Sequence, residues 1–79
     1  MAEQYFLGSL AAHKDFIEGV LWQDYQREVN AWLEGVRDQL EIETDPGGAR
    51  HLQGVAEACR KFLVLPHQVI EVLTLAMEK

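Results

Sequence analysis

The sequence predicts an all-α fold, and three of its features lead to that class. Apolar residues recur at helical spacing on both sides of a central turn, and no sustained alternating run of β-branched residues is present. Proline occurs only at Pro46 and Pro66, where it divides the chain into segments. We expect a single helical domain over residues 1–79, with a core thin enough to favour association with other molecules.

Two helices are predicted before the central turn. The first is a short N-terminal helix over Ala2–Ala12, whose apolar side would consist of Tyr5, Phe6, Leu7 and Leu10. The second is a long amphipathic helix over Asp15–Ile42. The residues predicted to line its apolar stripe are Ile17, Leu21, Tyr25, Val29, Trp32, Val36 and Leu40.

The segment Thr44–Gly48, an Asp-Pro followed by two glycines, is the strongest turn signal in the chain. A second helix is predicted over Gly48–Val64, and Pro66 is suited to the first position of a third helix that ends near Glu78. Leu65 precedes a proline and is therefore biased away from helical backbone. The expected architecture is an antiparallel helical hairpin in which the long helix backs the two shorter ones.

The charge distribution bears on which partners to expect. The net charge is −6, with ten acids and three bases through Asp45 but three acids and four bases from Pro46 onward. An acidic chain lacks the cluster of basic residues through which proteins bind nucleic acid or an anionic membrane surface. Neither is therefore an expected direct partner. The sequence also shows no secretory signal and no apolar run of membrane-spanning length.

The chain contains none of the sequence patterns that would indicate catalysis. A Gly-rich phosphate loop and a His-Glu-x-x-His motif are both absent, and His13, His51 and His67 fall in three different segments. Cys59, the only cysteine, is expected to act as a small buried hydrophobe. We predict a protein that is not an enzyme, with no catalytic, cofactor-binding or metal-ligating residues.

Four residues are predicted to form a partner interface, because a simple hairpin does not require them. Trp22 and Leu33 are predicted to lie at the far edge of the long stripe, and Leu75 to project away from the buried face of the last helix. Gly54 would lie on the outer surface, where the absent side chain lets another helix approach closely. The alternative is that these are ordinary exposed apolar residues and a tolerated glycine.

The order of short motifs resembles a group of small, mostly uncharacterised tailed-bacteriophage proteins. The resemblance covers nearly the whole chain and consists of Phe6-Leu7, His13, Leu52-Gln53-Gly54, Arg60 and Leu63-Val64-Leu65-Pro66. It departs at Lys14-Asp15-Phe16, where those proteins often carry proline and an aromatic residue after the histidine. Their genes tend to lie near the terminase and portal genes.

The resemblance implies a protein that acts in head structure or head assembly and is located in the virion or in the host cytoplasm. The leading hypothesis is a non-enzymatic protein that self-associates as a homo-oligomer and binds a phage structural protein, such as portal or capsid, or the packaging apparatus. The alternative is a small acidic phage regulator that binds and inhibits a host enzyme. In neither case does the resemblance supply catalytic residues or a cofactor.

Overall fold

A computed structural model of the chain describes residues 5–78, which form three α-helices and, over that range, no strand. The helices are α1 (Leu10–Glu18), α2 (Val20–Ile42) and α3 (Pro46–Met77). The all-α class is therefore confirmed, and the predicted end of the long helix at Ile42 is also confirmed, although several other helix boundaries differ from the prediction.

Helix α1 begins later than predicted. The expected helix over Ala2–Ala12 lies partly outside the described residues, and within them residues 6–9 are not helical. The Ser9 side chain caps the helix, because its Oγ accepts a hydrogen bond from the backbone N–H of Ala12 at 3.1 Å. The chain thus has a capped start at Leu10, and the earlier part of the prediction is wrong for residues 6–9.

The predicted continuous helix over Asp15–Ile42 is also wrong, because Gly19 separates α1 from α2. Its backbone is extended (φ −86°, ψ 161°), and its N–H donates to the carbonyl oxygen of Phe16 at 3.1 Å. Glycine is about 1 kcal/mol less favourable than alanine inside a helix. Interrupting a helix at a glycine therefore loses less stability than interrupting it at a residue that favours helix. The interruption lets α1 pack as a separate element.

In contrast, the predicted break at Pro66 is absent, and α3 is one helix of 32 residues, about 48 Å long. Its start lies inside the predicted turn: Pro46 occupies the first turn, and the Asp45 side chain accepts a hydrogen bond from Gly48 N–H at 2.9 Å. Pro66 removes one backbone hydrogen bond without ending the helix. Packing of the helix on both of its neighbours outweighs this local preference.

Helices α2 and α3 form the antiparallel hairpin, joined by the three-residue turn Glu43–Asp45. Helix α1 lies against the C-terminal part of α3, where Phe16 and Leu65 line the same surface depression. The resulting molecule is elongated, with a radius of gyration of 16.4 Å and extents of 50 × 27 × 16 Å. A compact chain of this length would have a radius of gyration of about 12 Å.

We expect the substitution Pro66→Ala to stabilise the protein by about 1–2 kcal/mol. It restores the backbone N–H that α3 lacks, and this gain exceeds the entropy that proline removes from the unfolded chain. Urea unfolding followed by circular dichroism measures the change. The matched control is Pro46→Ala, where the proline stands at the start of the helix and no hydrogen bond is missing. A destabilised Pro66→Ala variant would contradict this account of α3.

Candidate interaction surface

The hairpin is held together by one buried line of α2 side chains. Trp22, Val29, Leu33 and Val36 are buried, and the last three share a core cluster with Ala56 and Cys59 of α3. Leu40, Leu52, Val55 and Leu63 pack partly buried around this cluster. The positions on α2 follow a four-and-three residue spacing, which keeps a line of side chains on one face of a helix.

At the end of α2 nearest α1, one side chain joins all three helices. The Trp22 ring lies between Phe16 of α1 and Phe62 of α3, with ring centroids 5.6 Å and 5.7 Å away and tilts of 42° to each. Trp22 is only 2% exposed. Tilted rings at these distances interact favourably in addition to the apolar area that they bury.

This arrangement overturns the prediction that Trp22 and Leu33 lie on an exposed edge. Leu33 is 5% exposed, and both residues belong to the interior of the chain itself. The reason is that α3 packs against the edge of the apolar face of α2 that carries Trp22 and Leu33, and not against the middle of that face.

The other two predicted interface residues are exposed but lie far apart. An added Cβ at Gly54 would have no non-local heavy atom within 4 Å, so the space beside it is open. Leu75 is 52% exposed. The two positions are 21 residues apart along α3, which corresponds to about 32 Å. One small interface centred on either residue would not reach the other.

An open apolar groove lies between α2 and α3, and we call it the α2–α3 groove. Tyr25 and Trp32 of α2 stand on one side and are 52% and 57% exposed, and Phe62 on the other side is 40% exposed. Among the described residues that line it, Glu28 is the one charged side chain. These lining residues are Tyr25, Glu28, Val29, Trp32, Val55, Ala58, Cys59 and Phe62.

The sequence analysis placed Tyr25 and Trp32 on the buried apolar stripe of the long helix and so missed this groove. The signal that could have found it is the spacing of the predicted stripe, which begins with three steps of four residues from Ile17 to Val29. Each step of four turns the line by about 40°, so that stripe moves around the helix instead of following one face. Trp22, Val29, Leu33 and Val36 give the straight line.

The residues that could support chemistry do not gather in this groove. Cys59 is buried beside Val29 and Ala56, which confirms it as a core hydrophobe. His51 and His67 are exposed and lie 16 residues apart on α3, about 24 Å. Over residues 5–78 no group of three or more His, Cys, Asp or Glu side chains could hold a metal ion.

The ionic contacts are superficial. Two salt bridges occur among the described residues, Arg37–Glu34 at 3.1 Å and Lys61–Glu57 at 3.6 Å, and both are exposed. Exposed pairs of this kind contribute roughly 0–1 kcal/mol each. In the described part of the chain, none of the helices combines the length and apolarity needed to cross a membrane.

Comparisons with known proteins add no relative, since no family model, curated protein or solved structure matches the chain. The class that the geometry defines is therefore an all-α helical hairpin with an accessory helix and an open apolar groove.

We expect Leu33→Ala to lower the free energy of unfolding by about 2–5 kcal/mol, since it removes a side chain from the centre of the core cluster. Leu75→Ala is the matched control, because the same atoms are removed from an exposed position and the change should stay within about 0.5 kcal/mol. Urea unfolding of both variants provides the comparison. Equal effects of the two substitutions would contradict the burial of Leu33 in the interior.

Proposed function

We propose that this chain is a non-catalytic binding protein of a tailed bacteriophage, acting in head structure or head assembly. In this role it self-associates and binds a head, portal or packaging protein. Two observations support the proposal: the order of short motifs from Phe6-Leu7 to Leu65-Pro66, and the α2–α3 groove. The groove is the observation that carries the binding role.

The groove has the chemistry of a surface for a helical partner. Its walls combine large aromatic rings at Tyr25, Trp32 and Phe62 with the small side chain of Ala58. Amphipathic helices bind in such grooves by inserting apolar side chains at intervals of three and four residues. Large exposed apolar patches of this kind typically mark interaction sites on soluble proteins.

The surface charge favours proteins over nucleic acid as partners in this proposal. Helix α2 carries five acids and two bases, a net charge of −3. Carboxylates along an exposed helix repel phosphate, so the role in head assembly does not involve direct contact with DNA.

The first prediction of the proposal is that the purified protein self-associates. Sedimentation velocity between about 1 and 100 µM should show a mass at least twice that of one 9.0 kDa chain. Trp32→Glu should shift the protein toward the monomer, because it places a charge in the groove without disturbing a buried residue. Leu75→Glu introduces the same charge on an exposed position outside the groove lining and should leave the mass unchanged. A wild-type protein that stays monomeric over this range would remove self-association from the proposal.

A second prediction concerns where the protein acts during infection. Mass spectrometry of purified virions and of head-assembly intermediates from the phage that encodes this chain should detect it in at least one of them. A phage carrying Trp32→Glu should yield fewer DNA-filled heads, and one carrying Leu75→Glu should not. If the protein is instead recovered on a host enzyme and is missing from every particle, the acidic host-enzyme regulator becomes the better function.

A further inference from the structure

We propose that the α2–α3 groove binds a basic amphipathic helix of the partner protein, which lies in line with α1 and displaces any second copy of this chain from the groove. The inference rests on the proposed function and deepens it, because it names the chemistry of the partner. Three features carry it: one line of side chains on α3, the position of α1 on that line, and the charge of the groove.

A single line of apolar side chains runs along α3 from the groove to α1. Its members follow one another at intervals of three, four, three and four residues, which keeps them on one side of a helix. The first three line the groove, and the last two line the depression beside α1. The groove and the surface on which α1 packs are therefore parts of one face of α3. The line consists of Val55, Ala58, Phe62, Leu65 and Val69.

Helix α1 packs along the far part of this face and runs toward the groove. Leu10, at the start of α1, shares a depression with Leu73, and Phe16, near its end, shares one with Leu65. Residue numbers thus fall along α3 as they rise along α1, so the two helices are antiparallel. Helix α1 ends at Glu18, and the face continues beyond it as the open groove.

The difference in burial shows what a covering helix does on this face. Leu73 is 4% exposed, whereas Phe62 and Trp32 in the groove are 40% and 57% exposed. The groove spans seven residues on each helix, from Tyr25 to Trp32 and from Val55 to Phe62, which is about 10 Å or two helical turns. Because α1 stands on the same side of the hairpin, a single helix fits beside it at the same height. Such a helix would extend the layer that α1 begins.

The charge of the groove favours a basic helix. Glu28 takes part in neither of the two salt bridges found among residues 5–78. Helix α2 has a net charge of −3, and the α3 residues that line the groove are uncharged. A lysine or arginine of the bound helix would therefore meet an opposite charge beside Glu28, and a carboxylate would meet a like charge. The partner chemistry is an apolar face with a base at its edge.

Binding of this helix and self-association through the groove exclude one another. Both use Trp32, and a groove of this length holds one helix at a time. The partner's helix should therefore replace a second copy of this chain and release it. In the free protein the second copy would shield the exposed rings until the partner binds.

Two synthetic peptides test the inference on the full chain. Each has about 14 residues, roughly four turns, with leucines at intervals of three and four; one carries lysine and the other glutamate at the edge of the leucine face. The lysine peptide should bind about tenfold more tightly than the glutamate peptide, and Glu28→Lys should reverse that preference. A peptide of the same composition with the leucines reordered off one face should not bind.

Tryptophan fluorescence reports binding in the groove. Trp32 is 57% exposed, so its emission should shift to shorter wavelength on binding, whereas Trp22 is already shielded at 2% exposed. Trp32→Phe should remove the shift. Ala58→Gln should weaken binding about tenfold, because it places a polar side chain in the groove. Ala31→Gln makes the same change at an exposed position outside the lining and should leave the affinity unchanged.

Equal binding of the lysine and glutamate peptides, or a preference that Glu28→Lys does not reverse, would overturn the basic partner. Equal effects of the two glutamines would overturn the groove as its site. Sedimentation velocity with the lysine peptide should show one chain with one peptide. An oligomer that keeps its mass while the peptide is bound would overturn the displacement of the second copy. A wild-type protein that is monomeric without peptide would remove self-association from the proposed function, and the charge preference would still decide this inference.

Discussion

Trp22 packs at the junction of the three helices and sets which face of each helix is buried. Its ring contacts Phe16 of α1 and Phe62 of α3, so one side chain fixes the positions of all three helices. Full burial of a large apolar side chain contributes about 1.5–3 kcal/mol, a large share of the stability of a small domain. By turning the Trp22 side of α2 toward α3, this contact also decides which other residues of α2 face solvent.

The surface of the protein follows from that rotation. The apolar arc of α2 is wider than one neighbouring helix can cover, and α3 covers only the side that contains Leu33 and Val36. Tyr25 and Trp32 belong to the same apolar face, but α3 leaves them about half exposed. Helix α1 does not cover them either, because it packs farther along the molecule, beginning near Leu65. Within residues 5–78, the groove is therefore a direct consequence of two long helices being covered by one short third helix.

The sequence predicts the helical class, the central turn and the amphipathic character of α2, because these depend on local preferences and on periodicity. It does not predict the break at Gly19 or the continuity of α3 through Pro66. At Pro66 the packing of α3 outweighs a local preference of about 3 kcal/mol against a continuous helix. At Gly19 the low helix propensity of glycine permits a break, and the packing of α1 as a separate element decides that the break occurs. The same limit applies to the candidate surface. Periodicity identifies an apolar arc, but only the position of α3 shows that Leu33 lies inside the molecule and Trp32 outside.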